Sequence, residues 1–134
     1  MKYYKGNFKY QLAEDEYCFV DIFPEKDITT DFIELKTNGW LKAKKGYSWD
    51  GASGPTWDDE TNRTPSLIHD CLAQLIRQGK LPFQLVGKSN ELLAEMCITR
   101  GMWKSRAWYW IKGLSLTGGS FAKAKNARKV YYAP

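Results

Sequence analysis

Apolar residues along this chain change their spacing near residue 64. Before that point they recur every second position, loosely over residues 1–12 (Tyr3, Phe8, Tyr10 and Leu12 among polar neighbours) and more clearly later. The run YCFVDIF at 17–23 is β-branched and aromatic, as strands favour, and Pro24 ends it. In FIELKTNGWLKAKK, residues 32–45, Ile33 and Leu35 alternate with Glu34 and Lys36, then Leu41 and Ala43 with Lys42 and Lys44. Asn38-Gly39 between them predicts a hairpin closed by a two-residue type I′ turn, with φ above zero at both residues.

After residue 64 the spacing is helical. Thr64-Pro65 reads as an N-cap followed by proline in the first turn. Leu67, Ile68, Cys71, Leu72, Leu75 and Ile76 form one stripe, and Gly79 supplies the stop, which predicts a helix over 65–78. Ser89 is expected to cap a second helix ending at Gly101, with Leu92, Leu93, Met96 and Cys97 on its apolar side. A third helix runs from about Ser105 to Leu116 and breaks at Gly118-Gly119. The expected fold class is α+β: a small N-terminal antiparallel sheet over about 1–48, then a bundle of about three helices over 64–116, in one domain of 134 residues. A long loop, GYSWDGASGPTWDDETNR at 46–63, joins the two parts, and a basic tail fills 117–134.

Composition adds limits. Hydrophobic residues make up 43% and aromatics 15%, a globular balance rather than a disordered one. No apolar run reaches the roughly 20 residues of a membrane span, and MKYYKGNFKY lacks the apolar core of a signal peptide. Three cysteines argue against a disulfide framework and for a reducing compartment. The net charge of +5 conceals a division. Residues 1–67 carry nine basic and twelve acidic residues, whereas 68–134 carry eleven basic residues and only Asp70, Glu91 and Glu95. From Gly101 onward there are seven basic residues and no acid, so this half is expected to attract acidic protein surfaces or nucleic acid.

The candidate chemistry centres on His69, the only histidine, beside Asp70 at the start of the first helix. His69 falls on the edge of the apolar stripe and Asp70 on the far side. The loop places Asp50, Asp58, Asp59 and Glu60 nearby in sequence. An imidazole near carboxylates suits a general base, and acids with glycine turns suit a hard cation such as calcium. There is no CxxC, HxxxH, GxSxG, Walker A or GxGxxG pattern. Cys71 and Cys97 lie on apolar faces as core residues. Trp103, Trp108, Tyr109 and Trp110 crowd the third helix and cannot all face one core, so an exposed ring beside basic residues, Trp108 above all, is expected at an interface. A purely structural account of the loop is also open: glycine turns at Gly51 and Gly54, Trp49 packed beneath, and Asp50 or Ser53 clamping His69.

GYSWDGASGPTW (46–57), a proline at the helix start, LIHDCL (67–72) and SNELLAEMCITRGM (89–102) together resemble an uncharacterised family of small tailed-phage and prophage proteins with a WDGAS loop and an HD-x-L helix. The resemblance covers roughly residues 40–115 and implies a phage origin. The HD helix is also similar to the active site of phospholipases A2. That likeness implies His69 as base, Asp70 as a calcium ligand, Asp50-Gly51 as part of the cation loop, and an acid on the second helix to orient the imidazole. Asn90 stands where the phage family has that acid, and Ala73 stands where an aromatic often follows the histidine.

The sequence therefore predicts a phage accessory or virion-associated protein that binds a phage or host protein, in the host cytoplasm or the virion. The predicted binding residues are Trp49, Asp50, Gly51, Ser53 and Trp108. The alternative is a small hydrolase using His69, Asp70 and Asn90; no cofactor is expected, calcium at Asp70 and Asp50 being the one candidate.

Overall fold

A computed structural model describes residues 1–4, 10–51 and 59–116. Ser53, Gly54, Trp57, Asp58 and the tail 117–134 lie outside the described residues. The architecture is α+β, with antiparallel strands in the N-terminal half and three helices in the C-terminal half. The described residues form two compact units, one over Met1–Asp50 and one over Gly51–Leu116.

The N-terminal unit holds two small sheets where a single one was expected. The first has the order β1 (Tyr3–Tyr4), β2 (Tyr10–Leu12), β7 (Ser48–Trp49). The second has the order β3 (Glu16–Phe19), β6 (Trp40–Ala43), β5 (Ile33–Leu35), β4 (Ile28–Thr29). The turns at 13–15 and 44–47 divide them. Asp15 Oδ1 accepts the Lys45 amide at 2.8 Å and ties these turns together. That bond is the main reason the Asp15 carboxyl lies below its ordinary value. Val20, Ile33, Leu35, Leu41 and Ala43 are fully buried, the alternation expected of strands with one face in a core.

The 32–45 hairpin forms, with Ile33 opposite Ala43 and Leu35 opposite Leu41, but its turn differs from the expected one. Lys36 N–H donates to the Trp40 carbonyl and Gly39 N–H to the Lys36 carbonyl, both at 3.0 Å. Gly39 has φ +87°, whereas Asn38 stays at negative φ. This is a three-residue loop, a type I turn closed by a bulge at Gly39. Asn38 Oδ1 accepts the Trp40 amide at 3.2 Å, a local bond that leaves no need for a left-handed Asn38.

In the second unit, α1 spans Arg63–Arg77, α2 Val86–Thr99 and α3 Lys104–Leu116. α1 starts two residues before the expected Pro65. The boundary residue is Asn62, fully buried, whose carbonyl takes the Ser66 amide at 2.8 Å. Pro65 then sits in the first turn, where a missing N–H costs nothing. α2 begins three residues before Ser89, after a short 3₁₀ turn at Phe83–Leu85, and the Ser89 hydroxyl donates back to Val86 O at 2.8 Å instead of capping. Both helices end as expected at glycine. Gly79 (φ +72°) and Gly101 (φ +105°) place the Lys80 amide on Leu75 O at 2.8 Å and the Met102 amide on Cys97 O at 3.0 Å. These are Schellman closures that satisfy the last carbonyls.

α2 packs against both α1 and α3. Its buried stripe is Ser89, Asn90, Leu93, Ala94 and Cys97, rotated from the expected one so that Leu92 and Met96 are only half-buried. α3 meets it with Ala107, Trp110, Ile111 and Leu114, the i, i+3, i+4, i+7 pattern of one helical face.

The Gly39 turn yields the first prediction. A Cβ there would lie 2.7 Å from Phe19 Cε2 and 3.0 Å from Phe23 Cε1. Both rings are half-exposed and can move, so the lasting cost is the left-handed backbone. Gly39→Ala should lower unfolding stability by about 1–2 kcal/mol. Gly87→Ala, in α2 with open space around it, should raise stability by up to about 1 kcal/mol. Urea midpoints of the two variants measure both signs.

Candidate functional site

His69 and Asn90 meet. α1 and α2 place them 21 residues apart in sequence, and His69 Nε2–H donates to Asn90 Oδ1 at 2.7 Å. An amide oxygen can only accept, so this bond fixes the neutral tautomer with its lone pair on Nδ1. The Asp70 carboxylate lies 4.0 Å from Nδ1, an electrostatic neighbour beyond hydrogen-bond reach. The sequence placed His69 on the stripe's edge. The structure buries it, at 4% exposure, because α1 is covered around nearly its whole circumference and only Asp70 and a few end residues reach solvent. Asn90 is equally buried.

Burial is the main force on the imidazole and pushes its pKa below the ordinary 6.5, while the Asn90 bond pulls weakly the other way. His69 is therefore neutral at physiological pH. It has a base's protonation state, but its ring offers almost no surface to a substrate. An amide partner also stabilises an imidazolium less than a carboxylate would.

The other expected site residues scatter. Trp49, expected to bind a partner, is 3% exposed and packs with Tyr10 at 5.2 Å and Tyr3 at 6.4 Å between ring centroids, so it belongs to the core of the N-terminal unit. Asp50 is exposed at the end of that unit. Gly51 opens the other unit at φ +83°, a conformation that suits glycine. The expected calcium ligands Asp50 and Asp70 thus fall in different units. Among the described residues, no group of three His, Cys, Asp or Glu side chains is placed to hold a metal. Trp108 is 47% exposed, as expected of an interface residue. Cys71 and Cys97 are buried as expected, and burial pushes the Cys97 thiol up to about 12, so it stays protonated.

The sequence reading missed one ion pair. Asp59 Oδ1 accepts the Thr61 amide at 2.8 Å and its hydroxyl at 2.5 Å, while Oδ2 takes Arg106 Nη1 of α3 at 2.6 Å. Desolvation would raise this carboxyl, but the Thr61 and Arg106 bonds outweigh it and hold Asp59 below its ordinary value. A lone arginine facing the core edge of α3 was the available signal. Its partner, 47 residues away, was not readable.

No family model, curated protein or solved structure matches this chain.

The buried histidine and the ion pair each set an expected outcome. His69 has a folded pKa below its unfolded one, so the unfolded chain binds the proton first. Its contribution to stability is complete above about pH 6.5 and declines as pH falls below that, with a slope of up to about 1.4 kcal/mol per pH unit until the folded pKa is reached. With one histidine in the chain, His69→Gln should flatten the denaturation profile between pH 7 and 5.5. Arg106→Met should cost about 1 kcal/mol, a modest figure because Asp59 is one-third exposed. In a double-mutant cycle with Asp59→Asn, the coupling should persist at neutral pH and vanish as acid protonates Asp59.

Proposed function

We propose that this chain is a phage or prophage accessory protein that works by binding a protein partner through the outward face of α3. The observation that carries this reading is the exposure of Trp103, Trp108 and Tyr109 at 81%, 47% and 64%. Lys104, Trp108 and Lys112 recur at four-residue intervals along an exposed flank of α3 beside the buried face of Ala107, Trp110, Ile111 and Leu114. Large exposed aromatics beside cations are the residue types that anchor protein interfaces. The absence of any acid from Gly101 onward gives the partner's surface a sign: acidic. The phage assignment rests on the WDGAS and HD-x-L resemblance. The buried His69, bonded to an amide, favours binding over hydrolysis.

The test is affinity capture from infected-cell lysate and from purified virions, with wild type and a Trp108→Ser/Tyr109→Ser variant. The expected result is a stoichiometric partner that the variant loses. Absence of a partner from both sources, or equal retention by the variant, overturns the binding reading. Calcium-stimulated ester turnover that disappears in His69→Ala would install the hydrolase in its place.

A further inference from the structure

The second sheet ends on one side in an edge that its own chain leaves open. β3 is the outermost strand there and pairs on one side only, with β6. Val20 N–H donates to Gly39 O at 2.9 Å, so the main chain of Glu16, Cys18 and Val20 faces β6. The amides and carbonyls of Tyr17 and Phe19 therefore point the other way. Among the described residues neither amide has an acceptor, and the Phe19 carbonyl takes only the Cys18 thiol at 3.5 Å. Sheet edges are ordinarily protected by shortness, charge or proline. Among the described residues, the edge strands β1, β4 and β7 have two residues each. β3 has four, and its centre, Tyr17-Cys18-Phe19, carries no charge.

The ends of β3 decide what can lie against it. Asp15 before it is tied to the Lys45 amide, and Asp21 after it has φ +54°, which turns the chain out of the strand. Outward main-chain bonds are thus offered at Tyr17 and Phe19 alone. A strand that fits must present two outward residues at the same spacing, and β3 does so itself. Laid antiparallel about a two-fold axis at Cys18, Tyr17 of each copy meets Phe19 of the other and exchanges both main-chain bonds with it. Every outward amide of the two strands is then bonded. A register moved by two residues either way pairs Tyr17 or Phe19 with its own counterpart, makes half as many bonds and sets Asp15 or Asp21 opposite a ring.

The side chains agree with that pairing. Tyr17 and Phe19 are 59% and 46% exposed, and across the axis Tyr17 stands beside Phe19 of the second copy, a stabilising cross-strand ring pair. Phe19 already packs with Trp40 at 5.9 Å, and Lys42 Nζ lies 5.7 Å from the Tyr17 ring centroid. A row across the joined sheet runs Glu34, Lys42, Tyr17, then Phe19 and Trp40 of the second copy, with rings at the centre and charges outside. Charge does not oppose the contact. Lys42 lies 3.5 Å from Asp15 and 3.8 Å from Glu34, Lys44 lies 3.9 Å from Glu34, and Lys36 lies 3.8 Å from Asp27. These ions balance, so two copies of this face do not repel as two basic α3 faces would. Glu16, the one charged side chain within β3, comes opposite Val20 and not its own counterpart. We propose that the β3 edge binds the β3 edge of a second copy of this chain, joining the two four-stranded sheets into one. Four residues a side is far below the ~20–30 of a stable interface, so the dimer is reversible and parts on dilution.

This edge lies in the N-terminal unit and stands independently of the α3 reading. The test is sedimentation equilibrium of the whole chain from about 10 μM to about 1 mM in roughly 0.15 M salt, with amide resonances followed over the same range. The mass should rise with concentration from 15.5 kDa toward twice that value, and the shifts should centre on the Tyr17 and Phe19 amides. Tyr17→Pro removes an outward N–H and no bond to β6, so it should need at least tenfold more protein to reach the same dimer fraction. Trp108→Ser should dimerise as wild type does. Diamide, added as the oxidant at high protein concentration, should trap the dimer through a disulfide between the two copies of Cys18, because the axis sets them as a close non-hydrogen-bonded pair. A mass that stays at 15.5 kDa up to about 1 mM overturns the proposal. So does a dimer that Tyr17→Pro leaves intact, that diamide does not link through Cys18, or whose shifts centre on α3. The wild-type shifts and cross-link decide even if the proline variant misfolds. Lysate capture through α3 is scored separately, so either reading can fail alone.

Discussion

The bond between His69 and Asn90 is the constraint around which the helical unit is organised. Two polar side chains are withdrawn from water on facing helices, and each is tolerable there because the other is present. A one-residue slip of α2 on α1 would carry Asn90 Oδ1 away from the imidazole and bring up the shorter Ser89 or the charged Glu91, costing the 2.7 Å bond or burying a charge, a penalty of about 1–3 kcal/mol. The pair therefore sets the register. The rotation that places Asn90 toward α1 also turns Leu93, Ala94 and Cys97 into the core, which is where Ala107, Trp110, Ile111 and Leu114 of α3 find their partners. The glycine closures at Gly79 and Gly101 fix where each helix stops.

A histidine in that position is a structural bolt with a protonation cost. Its surroundings keep it neutral and covered, and its partner is an amide rather than a carboxylate. The large side chains open to solvent lie elsewhere, on α3 and on the outer face of the second sheet. The α3 face is aromatic and basic. The sheet face is aromatic and charge-balanced. On the proposed reading, the α3 face would draw acidic surfaces from a distance, which a charge-balanced face does not do.

Much of this was legible in the sequence because it depends on local pattern. The hairpin, the three helices and the two glycine stops follow from spacing and from residues whose backbone preferences are strong. The turn type was not legible, because Asn38 satisfies the Trp40 amide with its side chain and so avoids the left-handed conformation that Asn-Gly suggests. The true start of α1 lies at the buried Asn62, and the turns between the two sheets are joined by Asp15 and Lys45 thirty residues apart, neither of which local spacing reveals. The contact between His69 and Asn90 was suggested by resemblance. Their full burial was not, since a single helical wheel shows one apolar stripe and not what covers the remaining faces. The outward set of Tyr17 and Phe19 alternates visibly with Cys18 and Val20, but both sets are apolar, and only the fold decides which one meets solvent.

The three cysteines acquire a use from where they lie. Cys18 is partly open to solvent on β3, whereas Cys71 on α1 and Cys97 beneath α3 are sealed, the latter with a thiol that resists ionisation. A thiolate-selective reagent therefore meets a clock with two hands. Cys18 can be reached in the folded chain, and the other two react only when the helices part. The chain carries within itself the means to time the opening of its helical unit against its strands, with no cysteine added.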